Sequence, residues 1–215
     1  PVAGYGSLSG TALSTDTSLI GVWYEGGTSH RLLYNTIRLN GTGTGNFGAV
    51  GILVSGGTMN AIKNNIVTNL ATKPGTGSIL AIKNSGTIIA SGANYNSWNA
   101  SDQNLAAIKA FTGGDANSVN VNPVFVSDMD LHIDVNSATN VPLDAGATPI
   151  LPNIPTDIDN DTRDATTPDI GADEFVIAAT PPYYRSRFIA GNWNTASDWE
   201  TATNLLGPWS TATNP

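Results

Sequence analysis

Short apolar runs recur along the chain at intervals of about thirty residues, each between segments rich in Gly, Asn, Ser and Thr. One series comprises GVWY at 21–24, GILV at 51–54 and SILAI at 78–82. A second comprises YNTI at 34–37, NNIV at 64–67 and NYNSW at 94–98. Short apolar runs bounded by turn residues are typical of β-strands. The pattern therefore predicts a mostly β chain with a regular repeat.

Helical periodicity is scarce in the same part of the chain. The segment SDQNLAAIKAF at 101–111 is the best candidate for a helical turn. Ser101 or Asp102 is placed to cap its start, and Leu105 and Ile108 follow as its apolar positions.

Strands that recur at a fixed spacing, each too small to bury a face alone, favour a β-solenoid with coils of about 28–30 residues. Aliphatic residues should then stack in a column formed by Val22, Ile52 and either Ile79 or Leu80. Asparagines should stack as an amide ladder formed by Asn35, Asn64 or Asn65, and Asn94 or Asn96. The alternative is a β-sandwich, in which strands also recur at short intervals.

The composition excludes several classes of function. The chain has 9 basic and 17 acidic residues, a net charge of −8, so we expect no nucleic-acid partner. It has no cysteine, which excludes disulfides, thiolate catalysis and cysteine-ligated metals. No apolar stretch approaches the roughly 20 residues of a membrane span. The chain starts at Pro1, with neither an initiator Met nor the regions of a secretory signal, and we expect it to be a mature or excised segment of a longer precursor.

The negative charge is concentrated in one region. Residues 1–114 contain three acids and six bases, whereas residues 115–174 contain twelve acids and one base. The segment DIDNDTRDATTPDIGADEF at 157–175 alone contains seven acids. This acidic region is therefore a distinct part of the molecule.

Three motifs in the acidic region resemble the end of bacterial right-handed parallel β-helix repeat proteins of the pectate-lyase-like superfamily. They are GDANSVNVNPVFVSDMDLHI at 114–133, VPLDAGA at 141–147 and TDIDNDTRDATTPDIGADEF at 156–175. The resemblance covers roughly residues 20–176. Asn160 stands where that group usually has Gly, a mild departure because Asn tolerates a positive φ.

The resemblance implies a right-handed parallel β-helix, with coils at 1–114 and the acidic terminal coils and cap at 115–175. Proteins of this group are often secreted or surface-attached proteins of Bacteroidetes, which implies an extracellular or cell-surface location. The chain would be a non-catalytic segment acting as a rigid spacer, adhesin or carbohydrate-contacting stalk. Cell-surface glycans and other copies of the chain are the expected partners. The alternative is a carbohydrate-active enzyme, either a polysaccharide lyase or a glycoside hydrolase.

The spacing of Asp157, Asp159 and Asp161 matches the start of a calcium loop, in which alternate side chains direct oxygens at one ion. The match ends there, because Thr162 and Pro168 replace the Gly and Glu of an EF-hand loop. The structural alternative makes these aspartates turn caps. Arg163 would then pair with Asp169 or Glu174 in a cap whose Ile170 and Phe175 pack on the open end of the core.

Catalytic residues are not evident. Arg31, Arg38, Lys63 and Lys83 could act as bases of a lyase, but Asp16 and Glu25 are the only acids before residue 102. Asp128, Asp130 and Asp134 are close in sequence, but Asp130 falls in a predicted strand with Leu131 and Ile133 inward. His30 and His132 are a hundred residues apart, which gives a catalytic triad or a histidine metal site little support.

The last part of the chain differs in kind. A linker at 176–182 precedes a Trp-rich extension, or the start of a following module, at 183–215. Trp193, Trp199 and Trp209 could stack on sugar rings or could serve as core and interface residues. About thirty residues are too few to hold a separate core unaided.

Overall fold

The computed structural model describes residues 2–5, 18–43, 45–88, 92–150, 154–177, 183–186, 195, 198–202 and 210–211. The chain divides into two compact units, residues 1–177 and 178–215. The predicted linker at 176–182 spans this division, and its residues 178–182 lie outside the described residues. No helix in the described ranges is both long and apolar enough to cross a membrane.

The first unit is mostly β, as predicted, and its strands form three parallel sheets. One sheet has the order β1-β4-β7-β11, formed by Val2–Tyr5, Thr36–Asn40, Ile66–Asn69 and Ser97–Ala100. A second has the order β2-β5-β8, formed by Leu19–Tyr24, Ala49–Val54 and Ile79–Asn84. The third joins β3 (His30–Leu33), β6 (Thr58–Lys63) and β10 (Ala93–Asn94), and β9 (Thr87–Ile88) also pairs with β6.

Paired strands in the three sheets lie about thirty residues apart along the chain, except that β1 pairs with β4 at a longer offset, with Val2 opposite Ile37. Val22 lies opposite Ile52, and Ile52 lies opposite Ile82. The predicted column is therefore right in its first two members, but its third member is Ile82, because Ile79 pairs with Ala49 and Leu80 with Val50. Hydrophobicity alone does not show which of several neighbouring aliphatic residues will stack, because the turns set the register. One such turn contains Gly75, which lies so close to the Gly45 carbonyl that no Cβ would fit between them.

The predicted amide ladder is confirmed, with Asn35, Asn65 and Asn96 as its members. The side-chain nitrogen of Asn35 donates to the oxygen of Asn65, and that of Asn65 donates to the oxygen of Asn96, both at 3.0 Å. Each ladder residue follows a residue with positive φ, namely Tyr34, Asn64 and Tyr95. This conformation bends the chain between two of the sheets, and the amides satisfy backbone groups at the bend.

The central core is formed by residues of all three sheets. Ile37 and Trp98 come from one sheet, Ile52 and Ile82 from another, and Ile62 from the third, and each is at most 1% exposed. Burying a large aliphatic or aromatic side chain contributes roughly 1.5–3 kcal/mol. This core, and not the propensity of the short strands, therefore supplies most of the stability of the sheets.

The helix α1 is shorter than predicted and spans Leu105–Thr112. The prediction that Ser101 or Asp102 caps it is wrong, because the Asn104 side chain accepts from the Ala107 N–H at 2.9 Å. The helix places Ile108 in the central core.

Asp102 and Gln103 instead bind the edge of β8, the outer strand of its sheet. The Asp102 carboxylate accepts from the Ile79 N–H at 2.8 Å, and the Gln103 amide oxygen accepts from the Ala81 and Ile82 N–H groups at 3.0 Å. The Gln103 amide also donates to the Ile82 carbonyl at 2.8 Å. These side chains occupy the positions that a further strand would use.

The acidic region is irregular and carries its own hydrophobic cluster. A 3₁₀ helix at Ala138–Leu143 is its main regular element. Leu131 and Ile133 are buried as predicted, but the predicted strand is absent from these described residues and only a bridge joins Phe125 to Ile133.

Ile170 and Phe175 do not pack on the open end of the central core. They pack with Tyr34 and Ile66, which belong to successive turns of the chain. The Gly171 N–H donates to the Asn64 carbonyl at 2.9 Å, and the Ala172 N–H donates to the Thr36 hydroxyl at 3.0 Å. The acidic region therefore packs along the side of the bend that holds the ladder, where the Asn64 carbonyl and the Thr36 hydroxyl accept its hydrogen bonds.

The second unit contains an antiparallel sheet with the order β12-β13-β14, formed by Tyr183–Ser186, Trp199–Ala202 and Ser210–Thr211. Arg185 and Glu200 form an ion pair across it at 2.7 Å. Trp199 is buried, so little of its ring is open to a sugar. Trp193 and Trp209 lie outside the described residues.

Candidate functional site

Asp157 acts as a turn cap in the acidic region. One of its carboxylate oxygens accepts from the backbone N–H groups of Asp159 and Asp161 at 2.9 and 2.8 Å. Its other oxygen accepts from the Glu174 N–H at 3.0 Å. Asn160 lies between the capped residues with φ of 71°, so it takes the positive φ expected of the residue at this position.

The three aspartates predicted as calcium ligands are not gathered around one point. Asp157 is engaged with backbone N–H groups. Asp159 extends to His132. Asp161 lines a separate cleft of about 420 Å³, together with the acidic residues Asp144, Asp164, Asp169 and Glu174.

Arg163 provides the internal counter-charge of the acidic region. It is 6% exposed, pairs with Glu174 at 3.2 Å, and donates to the Gly171 and Ala172 carbonyls at 3.2 and 2.8 Å. Its guanidinium carbon lies 4.2 Å from the centre of the Tyr34 ring, a cation–π contact. Arg163 therefore ties the acidic region to the bend of the β sheets.

Asp169, the other predicted partner of Arg163, instead accepts hydrogen bonds from backbone N–H groups of the acidic region. Its two oxygens accept from the Ala145 and Phe175 N–H groups, both at 2.6 Å. Burial raises the pKa of Asp169 to about 7 against the opposing effect of these hydrogen bonds, and the nearby Glu174 and Asp144 carboxylates raise it further.

The raised pKa of Asp169 predicts that the protein loses stability between about pH 4 and pH 7. In this interval the folded protein retains a proton that the unfolded chain has released, so the contribution of Asp169 to the free energy of unfolding falls as pH rises and levels off above about 7. We expect Asp169 to account for roughly 2–4 kcal/mol of this change. Urea unfolding at pH 5 and pH 8 measures it.

The Asp169→Asn variant is the control for this prediction. It cannot titrate, so its unfolding free energy should change less between pH 5 and pH 8 than that of the unaltered protein. Equal pH dependence in the two proteins would show that Asp169 does not hold the proton.

A second group of ionisable residues lies around His132. The Nδ1 atom of His132 is hydrogen-bonded to the Asp130 carboxylate. The Nε2 atom of His132 lies 2.6 Å from a carboxylate oxygen of Asp159. His132, Asp159 and Asp173 each offer a ligand atom, and these three atoms lie within 4.8 Å of one another. Among the described residues this is the one group of three or more His, Cys, Asp and Glu side chains that could hold a metal ion.

The environment of the His132 group combines charge with apolar surface. The hydrogen bonds of Asp130 and Asp159 raise the pKa of His132 to about 9, so the imidazole is protonated at neutral pH when no metal is bound. A cleft of about 170 Å³ adjoins the group, and the apolar side chains of Met129, Leu131 and Ile158 line it.

No sequence pattern predicted the contacts of His132. His30 and His132, the two histidines, are a hundred residues apart, which gave a triad or a histidine metal site little support, and Asp130 stood out only beside Asp128 and Asp134. The signal was the spacing of Asp130 and His132 two residues apart, which puts both side chains on one face of extended backbone. The approach of Asp159 and Asp173 to His132 depends on turns that no local pattern reveals.

Comparisons with known proteins leave the family of this chain open. No protein-family model matches the sequence, and neither the curated proteins nor the solved structures contain a significant match.

Proposed function

We propose that the first unit is a right-handed parallel β-helix that serves as a rigid, non-catalytic segment of a large extracellular bacterial surface protein. The observation that carries this proposal is that strands about thirty residues apart along the chain pair in parallel in all three sheets. The pairing of β1 with β4, which places Val2 opposite Ile37, is the exception. Parallel crossovers are right-handed in nearly all known sheets, which supports the handedness. The segment would act as a spacer or stalk that presents or contacts cell-surface glycans.

Rigidity is the property that a spacer needs, and the buried ladder supplies a physical basis for it. The side-chain nitrogen of Asn96 donates to the Asp115 carboxylate at 3.1 Å, so the ladder continues beyond its last asparagine. A fully satisfied buried polar network fixes one arrangement of the chain, because any shift leaves buried groups without partners. The register is therefore held by directional bonds in addition to apolar packing.

The distribution of acids weighs against the alternative of a carbohydrate-active enzyme. Lyases of this architecture need acidic metal ligands near a basic residue, and hydrolases need paired carboxylates. Asp16 and Glu25 are the only acids before residue 102. Of the candidate bases, Arg38 is held by Asp128 at 2.5 Å.

Self-association through the edge of β8 is not part of the proposal, since Asp102 and Gln103 already occupy that edge. Any contact between copies would use other surfaces.

A degradation assay tests the proposal directly. The protein is incubated with a panel of acidic and neutral polysaccharides, with and without calcium, and unsaturated uronates and new reducing ends are measured. We expect no release above a heat-denatured control, together with retention of the protein on an immobilised-glycan array if it contacts glycans. Release of either product would replace the spacer with the enzyme alternative.

A further inference from the structure

We propose that His132, Asp159 and Asp173 bind a divalent transition-metal ion of the zinc type. The donor set is one imidazole nitrogen and two carboxylate oxygens; zinc binds both ligand types, and a site with three protein ligands leaves a fourth position for water or substrate. The proposal is independent of the spacer function, because it concerns only side chains of the acidic region.

The distances fit such an ion. Zinc bonds of about 2.0–2.2 Å place neighbouring ligand atoms roughly 3.3 Å apart in a tetrahedron. The Nε2 atom of His132 and a carboxylate oxygen of Asp159 are 2.6 Å apart, and all three ligand atoms lie within 4.8 Å. Small side-chain rotations therefore convert the hydrogen-bonded group into a coordination sphere.

Two further observations point to a metal ligand at this place. The Asp130 carboxylate is hydrogen-bonded to Nδ1 of His132, so Nε2 is the ring nitrogen that faces Asp159 and Asp173. Carboxylates commonly orient metal-binding histidines in this way. Asp173 is 9% exposed, and one of its oxygens accepts from the Ile133 N–H at 2.9 Å. No hydrogen bond to its other oxygen is present among the described residues, so this buried carboxylate keeps a free acceptor for an ion.

The surroundings distinguish this site from a calcium loop. Calcium binds six to eight oxygen ligands and rarely binds imidazole, whereas transition metals such as zinc and nickel bind imidazole nitrogen well. The apolar cleft lined by Met129, Leu131 and Ile158 adjoins the open side of the group. The group is partly open to solvent, with the His132 and Asp159 side chains 43% and 48% exposed, so a small ligand in the cleft can reach the free coordination position.

Isothermal titration of metal-depleted protein with Zn²⁺ tests the site. We expect one Zn²⁺ per chain, and at least about tenfold weaker binding for His132→Gln and for Asp173→Asn, each of which removes a ligand. The substitution His30→Gln serves as the matched control, because His30 is the only other histidine. It should leave zinc affinity within about twofold, the scatter expected of a residue outside the site.

Two further measurements make the result decisive. Co²⁺ in place of Zn²⁺ should give visible absorption that disappears in His132→Gln, and circular dichroism checks that each variant is folded. Zinc binding that is absent, or that is unchanged in folded His132→Gln, overturns the proposal. Calcium binding that is lost in Asp161→Asn, without zinc binding at His132, would overturn it in favour of the calcium loop predicted from the sequence.

Discussion

Replacing Asp115 by Ala should destabilise the first unit by about 4 kcal/mol or more, a large part of the 5–15 kcal/mol typical of a folded domain. Asp115 is fully buried, and its carboxylate ends the amide ladder. It accepts from the side chains of Trp98, Ser118 and Thr112 at 2.9, 2.6 and 3.1 Å. Its removal leaves buried donors without an acceptor. Urea unfolding followed by tryptophan fluorescence measures the loss, since Trp98 is among the affected groups.

The Asp115→Asn variant separates shape from chemistry. It keeps the size of the side chain and the tolerance for the φ of 58° at this position, but only one of its two polar atoms can accept. We expect a loss smaller than that of Asp115→Ala. The exposed Glu25 provides a charge control, and Glu25→Ala should change stability by no more than about 0.5 kcal/mol. Equal stability of Asp115→Ala and Glu25→Ala would show that the ladder does not need its terminal acceptor.

Replacing Asn65 by Ala should cost about 3 kcal/mol, the second largest effect that we expect. The Asn65 side chain accepts from the Asn35 backbone N–H at 2.9 Å and donates to the Leu32 and Lys63 carbonyls, also at 2.9 Å. Asn65 is fully buried, so water cannot replace these bonds. Urea unfolding followed by circular dichroism measures the change in unfolding free energy.

Two variants control the Asn65 prediction. Asn60 is exposed and lies in β6, a few residues before Asn65. The free energy of unfolding of Asn60→Ala should be within about 0.5 kcal/mol of that of the unaltered protein. Asn65→Asp keeps the size but removes the donor, and its carboxylate would face the Leu32 and Lys63 carbonyls. We expect it to be at least as destabilising as Asn65→Ala, and a stable Asn65→Asp protein would contradict the role of Asn65 as a donor.

The asparagine ladder could be predicted from the sequence, but not each of its members. The asparagines were found because one residue type recurs at the spacing of the apolar runs, and the choice between Asn64 and Asn65 needed the backbone. Asn64 takes the positive φ of the bend, and Asn65 follows it into the ladder. Asp115 was missed because it breaks the pattern of residue type; only its position beneath Asn96 shows that an acceptor-only side chain can end the series.

For the candidate sites, the sequence pattern pointed to acidic residues but did not predict which neighbours their side chains bind. The D-x-D-x-D spacing drew attention to Asp157, Asp159 and Asp161, but the folded segment directs these carboxylates to three different neighbours. Spacing alone cannot tell a turn cap from a metal ligand, because short acidic side chains bond equally well to backbone N–H groups and to cations. The approach of Asp173 to His132 links residues 41 positions apart and has no local signal.

The sequence by itself determined the mostly β character of the chain, the repeat of about thirty residues, the asparagine ladder to within neighbouring residues and the concentration of acids in one region. These features follow from local rules: turn residues end strands, and apolar residues recur wherever a core must be filled. The tertiary structure alone decided the register of the aliphatic column, the closing of β8 by Asp102 and Gln103, and the gathering of His132, Asp159 and Asp173. The register depends on how the turns of successive repeats pack on one another, and the other two features depend on the direction of side-chain hydrogen bonds between distant segments. Both are fixed only when the backbone is folded.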